Sequence, residues 1–185
     1  MTKRLSRTRK VVLGTAAALT IALLLWRLFY DDTFPFSAPR PSKTSSELHV
    51  TGIAPHQRFP APDTYRLRVW GKVEREVSLK LDDIRAMSAV EKDVPLKCVL
   101  DWTDSAVWRG VPVRDILRKA GIAEDGNFVV FRDDRDFSAT LSTAYLTSGK
   151  PILAYEVNGN ELPREHGWPL RVVAPGKWGY KWVKW

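Results

Sequence analysis

One segment near the start of the chain constrains its architecture more than any other. Residues 11–26 carry no charged side chain, and the apolar run continues past Arg27 to Tyr30, which makes it 20 residues long. A helix of that length measures about 30 Å, the thickness of the hydrocarbon core of a bilayer. A cleaved signal peptide is the alternative, but the length of the run and the lack of a small-residue cleavage site favour an uncleaved anchor. The sequence therefore predicts one transmembrane helix over residues 11–30.

The charges beside this segment predict its orientation. Residues 1–10 contain five basic side chains and no acid, whereas Asp31 and Asp32 follow the span. Basic flanks stay in the cytoplasm, so residues 31–185 are expected on the extracytoplasmic side of the cell (inner) membrane, held by a single pass. Without those five cations and Arg27, the other 23 basic and 21 acidic residues leave a net charge of +2. The basic excess is therefore a membrane flank, and no nucleic-acid partner is expected.

The rest of the chain divides into a tether and one folded domain. Residues 31–48 are rich in Pro and Ser and lack apolar periodicity, which is typical of a linker. Residues 49–185 mix period-two strands with short amphipathic helices and show no βαβ repetition, so an α+β class is expected. Helices are expected at 81–87 and 112–120, and strands at 65–70, 73–79, 128–131 (a buried one), 137–141, 152–157 and 170–174.

Cys98 is the only cysteine of the chain, which excludes an internal disulfide and any CxxC zinc or thioredoxin-type site. It follows the apolar–polar alternation of residues 94–97, so it is expected on a strand or just after one. From the residue alone, two interpretations stay open. Cys98 is either a small buried hydrophobe, or a strand-end thiolate that ligates a soft metal or acts as a nucleophile. His49 and His56 lack the spacing of zinc ligands and are expected at the surface.

Three blocks of the sequence occur in an order known from one family. Cys98 is followed at fixed spacing by Trp102, and then by Trp108, Gly110 and Pro112. At these residues the chain resembles the sulfite-oxidase-like molybdopterin-binding oxidoreductases, most closely the bacterial methionine-sulfoxide reductase catalytic subunits and their small relatives. The other two blocks lie at residues 65–71 and 79–84 and at residues 165–171 and 173–184, so the resemblance covers about residues 62–185.

The resemblance implies a fold, a cofactor and a site. The fold is a sulfite-oxidase-type domain of strands with a few short helices, and the cofactor is molybdopterin, a pterin dithiolene that carries molybdenum. Cys98 is implied as the catalytic cysteine and metal ligand, since a thiolate suits a soft metal. Arg171 and Lys184 are implied as ligands of the cofactor phosphate. The other implied cofactor-binding residues are His166, Lys181, Trp182 and Val183, and Asp133 stands where relatives usually have Ser or Thr.

The implied function is two-electron oxo transfer on a small-molecule substrate, such as a sulfoxide, by a membrane-anchored enzyme. A membrane haem protein or a quinol is then the expected electron partner. Two departures support a different hypothesis, a cofactor-free member that acts as a membrane-tethered binding or partner subunit. Asp133 places a carboxylate near an anionic cofactor, which is repulsive unless Arg132 or Arg135 offsets it. Gly52 stands where relatives often carry an Asn that contacts the pterin.

Overall fold

The computed structural model describes residues 47–51 and 63–185, together with residues 21, 59 and 61. The predicted basic flank at 1–10, the predicted span at 11–30 apart from residue 21, and the tether up to residue 46 lie outside the described residues. Within the described part of the chain, no helix has the length and apolar character needed to cross a membrane. The chain divides into two units, Met1–Thr33 and Phe34–Trp185, and the elements below all belong to the second.

The second unit contains strands and short helices, as the α+β prediction requires. The strands are β1 (Leu67–Val69), β2 (Val77–Leu79), β3 (Val90–Lys97), β4 (Thr103–Pro112), β5 (Phe128–Arg132), β6 (Ser138–Ser142), β7 (Ile152–Val157), β8 (Asn160–Glu161) and β9 (Arg171–Val173). The α-helices are α1 (Leu81–Arg85), α2 (Val113–Ala120) and α3 (Thr143–Thr147), and 3₁₀ turns span Arg164–His166 and Gly179–Lys181.

A five-stranded antiparallel sheet forms the centre of this unit. Strand β4 pairs with β3 on one side and with β7 on the other, and β8 and β9 pair with the far edge of β7. Gly110 allows a bulge between β4 and β7, because a side chain there would stand 2.0 Å from the carbonyl oxygen of Leu153. Seven of the ten residues of β4 are buried, so this strand runs through the core. Two separate hairpins, β1–β2 and β5–β6, complete the strands described.

The helix after β4 forms as its sequence predicts. Val113, Ile116, Leu117 and Ala120 are buried, which is the spacing of one helical face. The helix ends at Gly121, which has a φ of 67° and donates its N–H to the carbonyl of Leu117. This helix packs its apolar face into a core that also contains the following large, fully buried side chains: Ile84, Trp108, Val111, Leu146, Ile152, Val157, Leu162 and Val173.

The structure corrects several predicted boundaries. The strand predicted at 73–79 is reduced to Val77–Leu79, and Val73 forms only a single bridge, to Ile122. Strand β5 is not buried as predicted, because Phe128 and Val130 are 69% and 47% exposed on its outer face. Three of the strands and α-helices had no sequence prediction at all, namely β4, β8 and α3. The remaining predicted elements agree to within a few residues: α1 (Leu81–Arg85), α2 (Val113–Ala120), β6 (Ser138–Ser142), β7 (Ile152–Val157) and β9 (Arg171–Val173).

Candidate cofactor site

A cavity of about 500 Å³ lies where the β3–β4 turn, the β5–β6 turn and the segment after β9 meet. Residues 49–51, at the start of the described domain, form another part of its wall. A second cavity, of about 560 Å³, lies between β1 and β5 and contains none of the predicted site residues. The first cavity brings together most of them: Cys98, Asp133, His166, Arg171, Trp182 and Lys184.

Cys98 follows the last residue of β3, as predicted, and begins the turn that leads into β4. Its backbone N–H donates to the carbonyl of Trp102 at 2.9 Å, and Asp101 takes a φ of 64° to close the turn. The five residues from Cys98 to Trp102 therefore form this turn, which explains the fixed spacing of the two residues in the sequence. Gly179 packs beside it, because a side chain at that position would stand 3.2 Å from the carbonyl oxygen of Lys97. The turn holds the half-buried thiol at the cavity wall.

Arg171 is a buried cation of β9 at the same cavity. Its guanidinium lies 4.8 Å from the ring centre of Trp108 and 5.7 Å from that of Trp182, and its Nη1 donates to the carbonyl of His166 at 3.0 Å. Burial lowers the pKa of Arg171 to about 9, so the group is still charged at pH 7. Its buried Nε has no hydrogen-bond partner among the described residues. The β9 end of the cavity therefore holds a cation with an unsatisfied donor.

Lys184 adds a second cation, paired across a β-bridge with Arg171. Its Nζ donates to the carbonyls of Thr51, at 2.6 Å, and Glu165, at 2.9 Å. Burial, followed by repulsion from Arg171 and Arg135, lowers the pKa of Lys184 from 10.5 to about 7. Burial first, and the neighbouring cations second, thus bring the pKa of this lysine close to neutral pH.

His166 is buried at the end of a 3₁₀ turn and lines the same cavity. Burial, followed by the nearby charge of Arg171, lowers its pKa, so the imidazole is neutral at pH 7. Gly167 follows with a φ of 114°, and a side chain there would stand 2.9 Å from Cβ of Arg171 and 3.1 Å from Cβ of Lys184. The His-Gly pair thus lets the backbone approach both cations, which is a physical reason for this pair in the third block.

Asp133 does not repel the cavity's ligand as an isolated charge would. Its side chain is 1% exposed and forms an ion pair with Arg135 at 3.1 Å. The same carboxylate accepts the backbone N–H groups of Arg135 and Phe137, which closes the β5–β6 turn. Arg135 therefore offsets the charge, as one of the two arrangements considered for this residue requires. Asp133 shapes the cavity wall and positions Arg135 there.

Three predicted residues in the C-terminal segment lie in different places. Trp182 is buried and lines the cavity beside Arg171. Its Nε1 donates a hydrogen bond to the carbonyl of Lys177. Lys181 does not line the cavity, and its Nζ donates to the carbonyl of Thr140 at 3.2 Å. Val183 is a core residue whose carbonyl accepts the N–H of Val172. These contacts give Lys181 and Val183 a structural role beside the site.

Sequence reasoning missed one residue of the cavity wall, His49, and its buried partner Asp104. His49 was expected only as a surface residue, and its side chain is indeed 49% exposed, but it also lines the cavity. Its ring contacts the buried carboxylate of Asp104 and stacks on Trp102. No local pattern indicates this contact, because His49 and Asp104 are 55 positions apart.

The residues present fit an anionic cofactor that carries a soft metal. An unpartnered buried donor such as Nε of Arg171 costs about 1–3 kcal/mol, and an anion in the cavity would satisfy it. The same anion would favour the charged form of Lys184. The thiol of Cys98 supplies the soft donor at the same cavity. The phosphate and the metal thus each find a suitable group.

Comparison with known proteins gives the class. Residues 54–185 match the family model described as the oxidoreductase molybdopterin binding domain. The uncharacterized oxidoreductase YuiH of Bacillus subtilis (strain 168) is 32% identical over 143 residues, which are 77% of this chain and 71% of YuiH. The chain therefore belongs to the molybdopterin-binding oxidoreductase family, with molybdopterin as its cofactor, as the sequence resemblance predicts.

Longer relatives share the same region. Human mitochondrial sulfite oxidase is 33% identical over 188 residues, covering 82% of this chain and 34% of the oxidase. The methionine-sulfoxide reductase catalytic subunit MsrP of Xanthomonas campestris is 29% identical over 173 residues, covering 84% and 50%. The solved sulfane dehydrogenase SoxCD of Paracoccus pantotrophus shares the fold, with a TM-score of 0.65 and 24% identity over 69% of this chain and 38% of that one. The chain thus spans about a third of the sulfite oxidases it matches.

Proposed function

We propose that this protein is a membrane-anchored molybdopterin oxidoreductase that performs two-electron oxo transfer on a small substrate. The observation that carries the proposal is the shared cavity of Cys98 and the buried, partly unsatisfied Arg171. A soft thiolate and a cation that lacks an anion are the two donors that a metal-bearing, phosphate-bearing cofactor requires. The family membership supports the same assignment.

Each cavity residue has a role in this proposal. The bound cofactor supplies the two-electron chemistry and the exchangeable oxo group. Cys98 binds the metal, and Arg171 and Lys184 bind the phosphate through charge-assisted hydrogen bonds. The neutral imidazole of His166 and the ring of Trp182 lie beside these cations and orient the pterin.

The rim of the cavity supports a sulfoxide as substrate. Val99, Phe137 and Tyr180 line the cavity while remaining 62%, 46% and 46% exposed. Apolar side chains at an entrance favour an organic sulfoxide, which is neutral, over a small hydrated anion such as sulfite. One relative is itself named as a methionine-sulfoxide reductase. Sulfite, the substrate of the longer oxidases, is the competing candidate.

The electron partner in this proposal is a membrane haem protein or a quinol. MsrP is named as a catalytic subunit, which implies that it works with at least one other subunit, and a separate electron donor is proposed here in the same way. Residues 31–48 form an 18-residue tether in the predicted topology, and a flexible chain of that length reaches about 20–25 Å. The domain would therefore stay within reach of a donor embedded in the same membrane.

The experiment is metal analysis and turnover of the full chain. The protein is purified with detergent from a host that makes the cofactor, and molybdenum per chain is measured together with the reduction of dimethyl sulfoxide by a chemical reductant. One molybdenum per chain and sulfoxide turnover are the expected results. Oxidation of sulfite without sulfoxide turnover would show that sulfite, and not a sulfoxide, is the substrate. Folded protein free of both metal and pterin would instead favour the cofactor-free binding subunit.

A further inference from the structure

His49 lines the cavity, and the cofactor assignment uses neither this residue nor the buried Asp104 that it contacts. Asp104 is the second residue of β4 and is buried, with 2% of its surface exposed. Its Oδ2 accepts the backbone N–H of His49 at 2.5 Å, and its Oδ1 lies 2.9 Å from Nδ1 of the imidazole. The ring of Trp102 stacks on the imidazole, with centres 4.6 Å apart and planes inclined by 17°. Two neighbouring residues of one polypeptide segment thus hold the ring in a fixed orientation.

This arrangement determines which ring nitrogen can exchange a proton. An ionised carboxylate only accepts hydrogen bonds, so Nδ1 of His49 must carry a proton where it meets Asp104. In the neutral imidazole, Nε2 is then the basic nitrogen. The His49 side chain lines the cavity and is also 49% exposed to solvent. A basic nitrogen on such a ring can take protons from water and deliver them to the cavity.

We propose that His49 transfers the protons of the oxo-transfer reaction and that Asp104 positions it. The inference rests on the proposed function, because sulfoxide reduction consumes protons. The S–O bond breaks, the sulfur gains the two electrons that the haem or quinol donor supplies, and the oxygen leaves as water with two protons. Each proton enters at Nε2 of His49 from solvent and passes to that oxygen, while the Nδ1–H bond to Asp104 is kept. Asp104 stabilises the imidazolium that forms between the two transfers.

An anchoring role for His49 is the structural alternative. The same segment is held separately by Lys184, whose Nζ donates to the carbonyl of Thr51. The backbone N–H of His49 also bonds to Asp104 whatever side chain is present. Removal of the imidazole therefore leaves two of the contacts that fix residues 49–51. A variant can thus separate proton transfer from folding.

The first test uses two variants of the holoenzyme. His49→Asn keeps an N–H near the position of Nδ1 but has no basic nitrogen, so kcat for sulfoxide reduction should fall by about 10²-fold or more with molybdenum content unchanged. His49→Ala should lose a similar factor and recover activity when 4-methylimidazole is added. His56→Asn makes the same change at a histidine that lies outside the described residues and was expected at the surface, and as the matched control it should keep wild-type turnover. Full kcat in His49→Asn, or a loss in His49→Ala that imidazole does not restore, would overturn the proposal.

The second test does not depend on turnover. Protein labelled with ¹⁵N-histidine contains three imidazoles, and the spectrum of His49→Asn identifies the signals of His49 by their loss. Wild-type His49 should show the proton on Nδ1, and Asp104→Asn should shift the ring toward the other tautomer. An Nε2–H tautomer in the wild type contradicts the geometry. If the wild-type protein reduces no sulfoxide, the proposed function is wrong, whatever tautomer His49 shows. Failure of the proposed function and failure of the proton-transfer proposal are therefore distinguishable.

Discussion

At the scale of single residues, the most informative group is Arg171. A guanidinium buried over two indole rings loses its hydration, yet its Nε has no partner among the described residues. An anion that accepts this donor would offset the cost of burying it, and in the proposed function that anion is the cofactor's phosphate. The energy that Arg171 contributes to cofactor binding should therefore exceed that of a surface arginine.

Arg171→Ala should lower cofactor retention without unfolding the domain. A charge-assisted contact is worth about 1.5–3 kcal/mol, which corresponds to roughly 10- to 100-fold in affinity. Pterin released from the purified variant, measured by fluorescence, gives the retention. Arg118→Ala removes an arginine that is 73% exposed on α2 and serves as the control. Equal pterin content in both variants would mean that Arg171 does not hold the phosphate.

If Lys184 binds the cofactor phosphate as proposed, cofactor binding should depend on pH. Its pKa is lowered from 10.5 to about 7 in the protein alone, and a bound phosphate favours the charged form. Binding must therefore take up a proton above pH 7, so affinity should fall as the pH rises from 7 toward 9, by up to about tenfold per unit. Below pH 7 the lysine is already charged and the affinity should level off.

The measurement is the binding of inorganic phosphate or pterin to cofactor-free protein at pH 6, 7.5 and 9. Lys184→Arg keeps the charge throughout this range and should flatten the pH dependence. The same folded-state pKa predicts that the free energy of unfolding of the cofactor-free protein rises between pH 7 and 10.5 through this group, because the unfolded chain binds more protons there. Identical slopes in the wild type and Lys184→Arg would exclude Lys184 as the titrating group.

At the scale of elements, the chain reversal that follows the 3₁₀ turn Arg164–His166 depends on Gly167. Its φ of 114° strains any other residue, and an added Cβ would stand 2.9 Å from Cβ of Arg171. Gly167→Ala should therefore cost roughly 1–3 kcal/mol of folding free energy and also displace the two cations. Gly71 has a φ of 100° with nothing within 4 Å of an added Cβ, so Gly71→Ala carries the backbone strain alone.

Chemical denaturation and pterin content of the two glycine variants test this prediction. Gly71→Ala should be destabilised and keep its cofactor, whereas Gly167→Ala should lose both stability and cofactor. Retention of a full complement of cofactor by Gly167→Ala would show that the cations tolerate a displaced turn.

Strand β4 shows why part of the fold could not be predicted from the sequence. It is buried along most of its length, so apolar and polar residues do not alternate as they do in a half-buried strand. It also contains Asp104 and Ser105, which are buried polar residues, and the bulge at Gly110 interrupts its register with β7. Helix α3 has only five residues and, unlike the equally short α1, no acidic side chain in its first turn to mark its start.

The site was predictable to the extent that its residues lie in local motifs. Cys98 and Trp102 belong to one turn, and His166 and Arg171 share a hydrogen bond across five positions, so their spacing is fixed by local geometry. The contact of His49 with Asp104 joins distant segments and leaves no such spacing. The motif also led to the prediction of Lys181 as a cofactor-binding residue. Its side chain instead contacts Thr140 and does not line the cavity.

At the scale of the whole molecule, the proposal places the domain outside the cytoplasm, tethered to the membrane. Protease added to intact spheroplasts should then release a soluble domain whose first residue lies within 31–48, because this Pro- and Ser-rich segment is the expected linker. Mass spectrometry of the released fragment gives its N-terminus. A domain that is protected until the membrane is broken would reverse the orientation.

The central claim is that the thiolate of Cys98 ligates molybdenum in the cavity that Arg171 and Lys184 share. X-ray absorption at the molybdenum edge counts the sulfur ligands directly and can be applied to the purified holoprotein and to Cys98→Ser. A hydroxyl is a poorer ligand for a soft metal, so the variant should hold its pterin but show one sulfur fewer and lose oxo-transfer turnover. A Cys98→Ser protein with the same sulfur count and the same turnover as the wild type would contradict the claim.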